Sequence, residues 1–371
     1  MTVGNYTFKL EKRLSLRGWQ ATIISVSAIV VALFLFGFIF LFAGVQPGVA
    51  YREIFAYAFA TPFGIPPTIA RFIFLLLASY AFVVPYRAGL WNIGMPGQLY
   101  AGALAAYGVL FFLDIGKTSE VHLTAWLVWP MMLGAAVLAG AVVGGVAGFF
   151  KGKYNVNEIV VTMMLNFMLF WLVSFMIKDG GPFMNPGGRG ESFEMPPSLR
   201  APAFMNVPFT ILIALGVGLL LHYIFARTRI GYEIRAYGQN VRAARYAGIS
   251  VVYIPLLVFV VGGALAGLAG YHYFAAVPGV YKIARNYGFL GDLSFYGIIC
   301  GLIAQGNTLA VVPIALLFAG LSVGGRFVQG KLGMGFGLDY ALLGVLMITL
   351  VAFQFFYRYK IVWVKGQKLP A

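Results

Sequence analysis

Apolar residues run through this chain in long blocks separated by short polar breaks, and the block lengths set the first expectation. A helix that crosses a membrane needs about 20 apolar residues. Blocks near that size fall at 20–44, 68–86, 96–113, 123–150, 158–178, 207–226, 251–276, 289–304, 308–325 and 338–357. The pattern predicts an all-α, polytopic integral membrane protein with about ten transmembrane helices in one domain spanning residues 1–371. Two breaks are thin: RAGLWNIGMP between the second and third blocks, and QGNT between the eighth and ninth. Residues 46–59, opening near Pro47, read as an amphipathic helix lying at the outer interface. The stretch 180–206, rich in Gly and Pro, reads as an outer loop and as the place for an extracytoplasmic partner to touch.

Composition agrees with a membrane protein and excludes a soluble one. Hydrophobic residues make up 61% and charged residues 10% of the 371, against about 25% charged in a soluble domain. Mean hydropathy is +0.88. The formal charge of +15 does not point to nucleic acid, because the basic residues are scattered between apolar spans instead of gathered on a soluble face. They report orientation. With the N-terminus inside, the inner face receives Lys9, Lys12, Arg13 and Arg17, then Arg87, Lys151 and Lys153. It also receives Arg227, Arg229, Arg235, Arg242 and Arg245, and finally Arg358, Lys360, Lys365 and Lys368. Only Glu11, Glu158 and Glu233 join them. This bias supports ten spans with both termini cytoplasmic in the plasma membrane. The first apolar run, about 25 residues, exceeds the roughly 7–15 of a signal-peptide core and reads as a retained span.

The densest basic stretch is 227–250, RTRIGYEIRAYGQNVRAARYAGIS, set between two apolar blocks. It is longer than a tight connector needs to be, so it reads as a cytoplasmic loop built to meet something.

Little in the chain indicates covalent chemistry. Cys300, the single cysteine, lies in FYGIICGLIA and reads as a small buried thiol. His122, His222 and His272 share no metal-ligand spacing, so no metal site is expected. Gly325–Lys331, GRFVQGK, imitates the glycine and lysine spacing of a phosphate-binding loop. Leu332 stands where a Ser or Thr should ligate magnesium, and no strand and helix frame it. Arg71, Glu158, Asp292 and Asp339 sit near span ends, where a charge is cheap. Small residues at four-residue spacing, Gly140, Gly144 and Gly148, Gly263 and Gly267, Gly320 and Gly324, read as helix-packing positions.

Two polar groups are more telling. In GLWNIGMPGQLYAGA, the amides of Asn92 and Gln98 accompany Gly89, Gly94, Pro96 and Gly97, which break a helix at membrane depth. Irregular backbone there must be buried in protein or line a cavity. In NVNEIVVTMMLNF, Asn155, Glu158, Thr162 and Asn166 fall at spacings that share one helix face.

At these residues the chain resembles the membrane-spanning permease subunits of ABC importers. It is similar to the superfamily that handles branched-chain amino acids, ribose and other simple sugars, and purine nucleosides, with the simple-sugar and nucleoside branch nearest. The NIG and GQ elements of Asn92 to Gln98, the run NEIVVTMMLN from Asn157 to Asn166, and GYEIRAYGQNVRAARYAGIS carry the resemblance. It implies half of a translocation pathway, a second similar permease, two cytoplasmic ATP-binding cassette ATPase subunits, and an extracytoplasmic solute-binding lipoprotein. No cofactor would be bound by this chain, which would be no enzyme and would lack an ATPase site, since ATP would be used by the partners. The resemblance implies a short coupling helix bounded by Gly238 and Gly248, with Arg235, Asn240, Arg242, Arg245 and Gly248 contacting the ATPase. Asn92, Gln98, Asn166 and Asp292 would belong to the solute pathway. Met95 and Pro96 depart from the nucleoside branch, which has a small residue and Glu before the GQ pair, so the solute stays open between a simple sugar, a nucleoside and another small polar metabolite. GQLYAGALAA and GDLSFYGIICGL begin alike and run in opposite directions on this topology, the relation an inverted repeat gives.

A secondary transporter driven by an ion gradient would also place amides at a broken helix. A membrane-embedded enzyme would need clustered acids, nucleophiles or metal ligands, and none is visible.

Overall fold

Each of the ten apolar blocks is a helix in the computed structural model, which describes residues 2–3, 6–12, 18–114, 125–178, 180–187, 190–284, 289–334 and 337–365. Two short strands, β1 (Thr2–Val3) and β2 (Tyr6–Lys12), precede α1 (Gly18–Phe42) and α2 (Pro47–Ala60). Then come α3 (Ile65–Arg87), α4 (Met95–Phe112), α5 (Ala125–Tyr154) and α6 (Glu158–Ile177). A small hairpin, β3 (Ala203–Phe204) with β4 (Val207–Pro208), leads into α7 (Thr210–Arg227), α8 (Arg229–Gln239) and α9 (Val241–Tyr246). The chain ends with α10 (Tyr253–Ala276), α11 (Phe289–Ile303), α12 (Val311–Lys331), α13 (Leu338–Arg358) and β5 (Tyr359–Lys365).

Among the described residues, eight helices are long and apolar enough to cross a membrane: α1, α3, α5, α6, α7, α10, α12 and α13. The other two expected spans are the 18-residue α4, about 27 Å long at 1.5 Å per residue, and the 15-residue α11. The helix expected over 46–59 is α2. Helix α12 runs six residues past the expected end at 325, so GRFVQGK is helical backbone and not a phosphate-cradling loop.

The chain divides into two compact units, residues 1–56 with 324–371, and residues 57–323. In the first, the Ser25 and Tyr357 hydroxyls meet at 2.5 Å between α1 and α13. Strand β2 pairs antiparallel with β5, from Tyr6 opposite Lys365 to Lys12 opposite Tyr359, and Glu11 bonds Lys360 at 2.9 Å. The segments flanking α1 and α13 therefore lie together.

In the second unit, α3 and α10 form the centre, with α3 buried from Phe72 to Pro85. In lipid no hydrophobic force draws helices together, so close packing of small residues must do it. The glycine rows do so. A Cβ on Gly140 would strike the Gly263 carbonyl oxygen, one on Gly267 that of Ala136, and one on Gly148 would stand 2.8 Å from the Leu256 Cα. Helix α4 joins the same seam, where a Cβ on Gly102 would lie 2.5 Å from the Gly267 Cα. By contrast α6 leaves Met164, Phe167, Met168, Trp171 and Phe175 exposed, a surface suited to lipid or to another subunit.

Among its described residues the stretch 180–206 holds one short 3-10 turn, Pro197–Leu199, and strand β3, and it is fastened. Ser192 N–H donates to the Ile283 carbonyl and Met195 N–H to that of Tyr281, at 2.9 and 2.8 Å. Glu191 pairs with Lys282 at 2.5 Å, and Trp129 Nε1 donates to the Leu199 carbonyl at 2.8 Å.

Candidate functional site

The broken segment between α3 and α4 begins with a proline. Pro85 has no N–H to give the carbonyl of Ala81 four residues earlier. That carbonyl instead accepts from Asn92 Nδ2 at 3.3 Å. Helix α3 then closes on Gly89, left-handed at φ +71°, with Gly89 N–H donating to Tyr86 and Leu90 N–H to Pro85. These two bonds are the Schellman pattern, and they turn the chain toward α4.

Asn92 and Gln98 are fully buried and face each other. Asn92 Nδ2 donates to Gln98 Oε1 at 2.9 Å, and Gln98 Nε2 donates back to Asn92 Oδ1 at 3.1 Å. Asn92 Oδ1 also accepts from Gly94 N–H at 3.2 Å. All four bonds open to the Asn92 amide are thus used inside the protein. Asn166, half-buried on α6, accepts from Gly97 N–H and donates to the Ile93 carbonyl, both at 2.8 Å. A helix start leaves its first N–H groups without partners, and here Pro96 has none to satisfy while Asn166 takes that of Gly97. The backbones of α4 and α6 nearly touch: a Cβ on Gly97 would stand 3.0 Å from the Asn166 Cα.

The structure therefore brings Asn92, Gln98 and Asn166 together as the frame of the connection between α3 and α4, which lies against α8 and is not the helix interrupted at membrane depth that the glycines and proline suggested. Asp292 lies on α11, and its side chain falls outside the described residues. Thr162 and Asn166 share a face of α6 with Glu158, but Asn155 belongs to the preceding turn, left-handed at φ +51°. Glu158, in the first turn of α6, pairs with Lys151 at 2.9 Å. A neighbouring cavity of about 600 Å³ between α4 and α6 is lined by Leu104, Val109, Phe112, Leu169, Leu172 and Met176 among others, all apolar, and offers a polar solute nothing to bond.

The basic stretch 227–250 is two helices. Thr228 caps α8 by accepting from Gly231 N–H at 3.2 Å. Asn240, extended at φ −158°, caps α9 by accepting from the N–H groups of Arg242 and Ala243 at 3.0 and 3.1 Å. At its other end Gly248, at φ +80°, donates to the Arg245 carbonyl while Ile249 donates to Ala244. This is again the Schellman pattern, with Ala244 and Ile249 buried beneath it. The expected helix bounded by Gly238 and Gly248 is thus shorter: Gly238 belongs to α8, and Asn240 marks the start. Arg235, Asn240, Arg242, Arg245 and Gly248 are all exposed. So is Tyr246, at 94%, one of 21 tyrosines and not singled out by composition. Its place next to Arg245 and two residues before the Gly248 cap is the available signal.

Eight helices long and apolar enough to cross a membrane, a connection framed by buried amides, and a short, capped, exposed basic helix fit a membrane transport subunit. Residues 65–351 match the profile of the family described as branched-chain amino acid transport system / permease component. The glucose ABC transporter permease protein TsgB13 of Haloferax volcanii is 30% identical over 96% of this chain and 94% of its own length. The nucleoside ABC transporter permease protein NupB of Lactococcus lactis is 28% identical over 82% of this chain and 84% of its own. The guanosine ABC transporter permease protein NupP of Bacillus subtilis is 27% identical over 81% and 85%. The chain belongs to this permease family: it is a permease subunit of an ABC importer and a multi-pass protein of the plasma membrane.

Proposed function

We propose that this chain forms half of an inward pathway for a small polar solute, a simple sugar or a nucleoside, with a second permease as the other half. The pair rests on two ATPase subunits, one of which receives α9 of this chain in a groove, an extracytoplasmic lipoprotein delivers the solute at the side of residues 180–206, and this chain binds no nucleotide itself. The glucose and nucleoside relatives support that solute class. Asn92, Gln98 and Asn166 serve the pathway by holding the connection between α3 and α4 in shape, and Asp292 belongs to the same pathway. Termini on one side of the membrane are supported by the pairing of β2 with β5, since flanking strands can pair only after an even number of crossings, and the basic loops assign that side to the cytoplasm.

The observation that carries the reading is α9 itself. A six-residue helix is unstable alone, yet this one is capped at both ends, anchored by Ala244 and Ile249, and presents Arg242, Arg245 and Tyr246 to solvent. Arg235 extends the basic face from α8, while Asn240 and Gly248 act as its caps. Such a rigid, cationic projection suits a groove on a partner. Combining Arg242→Glu with Arg245→Glu should weaken copurification of the ATPase by about tenfold, equivalent to about 1.4 kcal/mol. The wild-type association should also weaken as salt is raised. Unchanged copurification would refute the docking site.

A further inference from the structure

We propose that the contact between Gly238 and the turn Arg87–Gly89 is a bearing through which α8 and α9 set the geometry of the broken segment 88–94. The inference rests on the docking reading above. It makes Gly238 a positioning residue and the helix break a moving part of the transport cycle.

Two backbones meet here with no side chain between them. A Cβ on Gly238 would stand 2.5 Å from the Arg87 carbonyl oxygen and 2.9 Å from the Ala88 carbonyl carbon. A Cβ on Gly89 would lie 3.2 Å from the Gly238 carbonyl oxygen. Close-packed groups transmit displacement, and contact between main chains leaves no rotamer free to absorb it.

Both flanks of the contact are clamped. Arg87 Nε donates to the Gly306 carbonyl at 2.7 Å, and its guanidinium stacks over Phe225 of α7 at 4.5 Å. Tyr237, the neighbour of Gly238, is buried at 4% exposure, which fixes α8 on the other side. Displacement of α8 therefore acts on the turn rather than sliding past it.

What lies beyond the turn is held by side chains and by no backbone ladder of helix or strand. Only Leu90 and Trp91 separate Gly89 from Asn92, and residues 90–94 belong to no helix or strand. Their shape is held by the Asn92 amide and by Asn166 on Ile93. A shift delivered at Gly89 thus arrives within three residues at the amide network that defines the start of α4. The coupling helix and the polar break, far apart in sequence, converge on a single pair of glycines.

The test uses the complex with its ATPase subunits in lipid nanodiscs. Cys300, the single native cysteine, is fully buried, so Trp91→Cys places one reactive thiol in the broken segment, where Trp91 is partly exposed. Its maleimide modification rate is measured with and without a non-hydrolysable ATP analogue. The expected result is a nucleotide-dependent change of at least about 5-fold that falls below about 2-fold when Gly238→Ala is added, 5-fold being the lower end of usual coupling between sites. Copurification of the ATPase should persist in the double variant. A nucleotide-dependent change that survives Gly238→Ala, or that is absent from Trp91→Cys, overturns the bearing and leaves the docking site to its own copurification test. Should Gly238→Ala not assemble, Gly89→Ala alters the other side of the contact and is scored in the same way. Failure of both to accumulate identifies the contact as fixed packing and overturns the proposal as well.

Discussion

Replacing Asn166 by Leu keeps the side chain's size and removes both of its hydrogen bonds to the broken segment. Gly97 N–H, in a fully buried residue, would lose its acceptor at 2.8 Å, and the half-buried Ile93 carbonyl its donor at 2.8 Å. A buried group left without a partner costs about 1–3 kcal/mol in soluble proteins. In membranes, double-mutant cycles average about 0.6 kcal/mol per bond, because the unfolded chain in lipid also finds partners. Two bonds therefore bracket the loss between about 1 kcal/mol at the membrane average and about 6 kcal/mol at the top of the soluble range, with Gly97 contributing the larger part because it is the more buried. The assay is reversible unfolding of the purified protein in mixed micelles, with Met168→Leu, an exposed change one half-turn further on α6, as the control. A loss below about 0.5 kcal/mol, no larger than ordinary surface substitutions, would refute the claim that Asn166 holds the break.

The remaining predictions concern packing and titration. Gly267→Leu should prevent accumulation of folded protein, because even its Cβ would strike the Ala136 carbonyl, whereas Gly216→Ala, with open space around it, should be neutral in the same expression and unfolding assays. Tyr80→Phe removes a buried hydroxyl that has no partner among the described residues and should leave stability unchanged or raise it by about 1 kcal/mol; a comparable loss would mean that the hydroxyl is bonded. The Tyr237 phenol is pushed above its ordinary value of 10.0 by burial and then by the Glu158 carboxylate. Its contribution to stability is therefore complete below pH 10 and lost as pH rises through the folded value, so Tyr237→Phe should flatten the alkaline limb of a stability curve.

Much of the fold was legible because a membrane span is written locally, in a run of apolar residues. The ten expected blocks became α1, α3 to α7 and α10 to α13. The end of α12 was missed because Arg326, Gln329 and Lys331 break hydrophobicity without breaking helix. Long-range fastening left no such trace: the partners of residues 191–195 lie at 281–283, some 90 positions away. The amides at 92, 98 and 166 stood out as polar residues in apolar surroundings. That two of them pair with each other across a break, and that Asn92 fills the carbonyl freed by Pro85, required coordinates. The caps of α9 were readable in principle, since Asn before a short helix and Gly after it are ordinary signals. Its true start at Asn240 was hidden by Gly238, which has a packing role against Gly89.

The central claim is that ATP bound elsewhere drives solute through this chain by way of α9. Proteoliposomes carrying the complete complex, with ATP on the ATPase side and labelled glucose or guanosine offered with the binding lipoprotein, test it most directly. Accumulation should require ATP, ignore ion gradients, and be lost when Arg242→Glu and Arg245→Glu are combined. Accumulation driven by an ion gradient without the ATPase, or undiminished by reversing those two charges, would contradict the account.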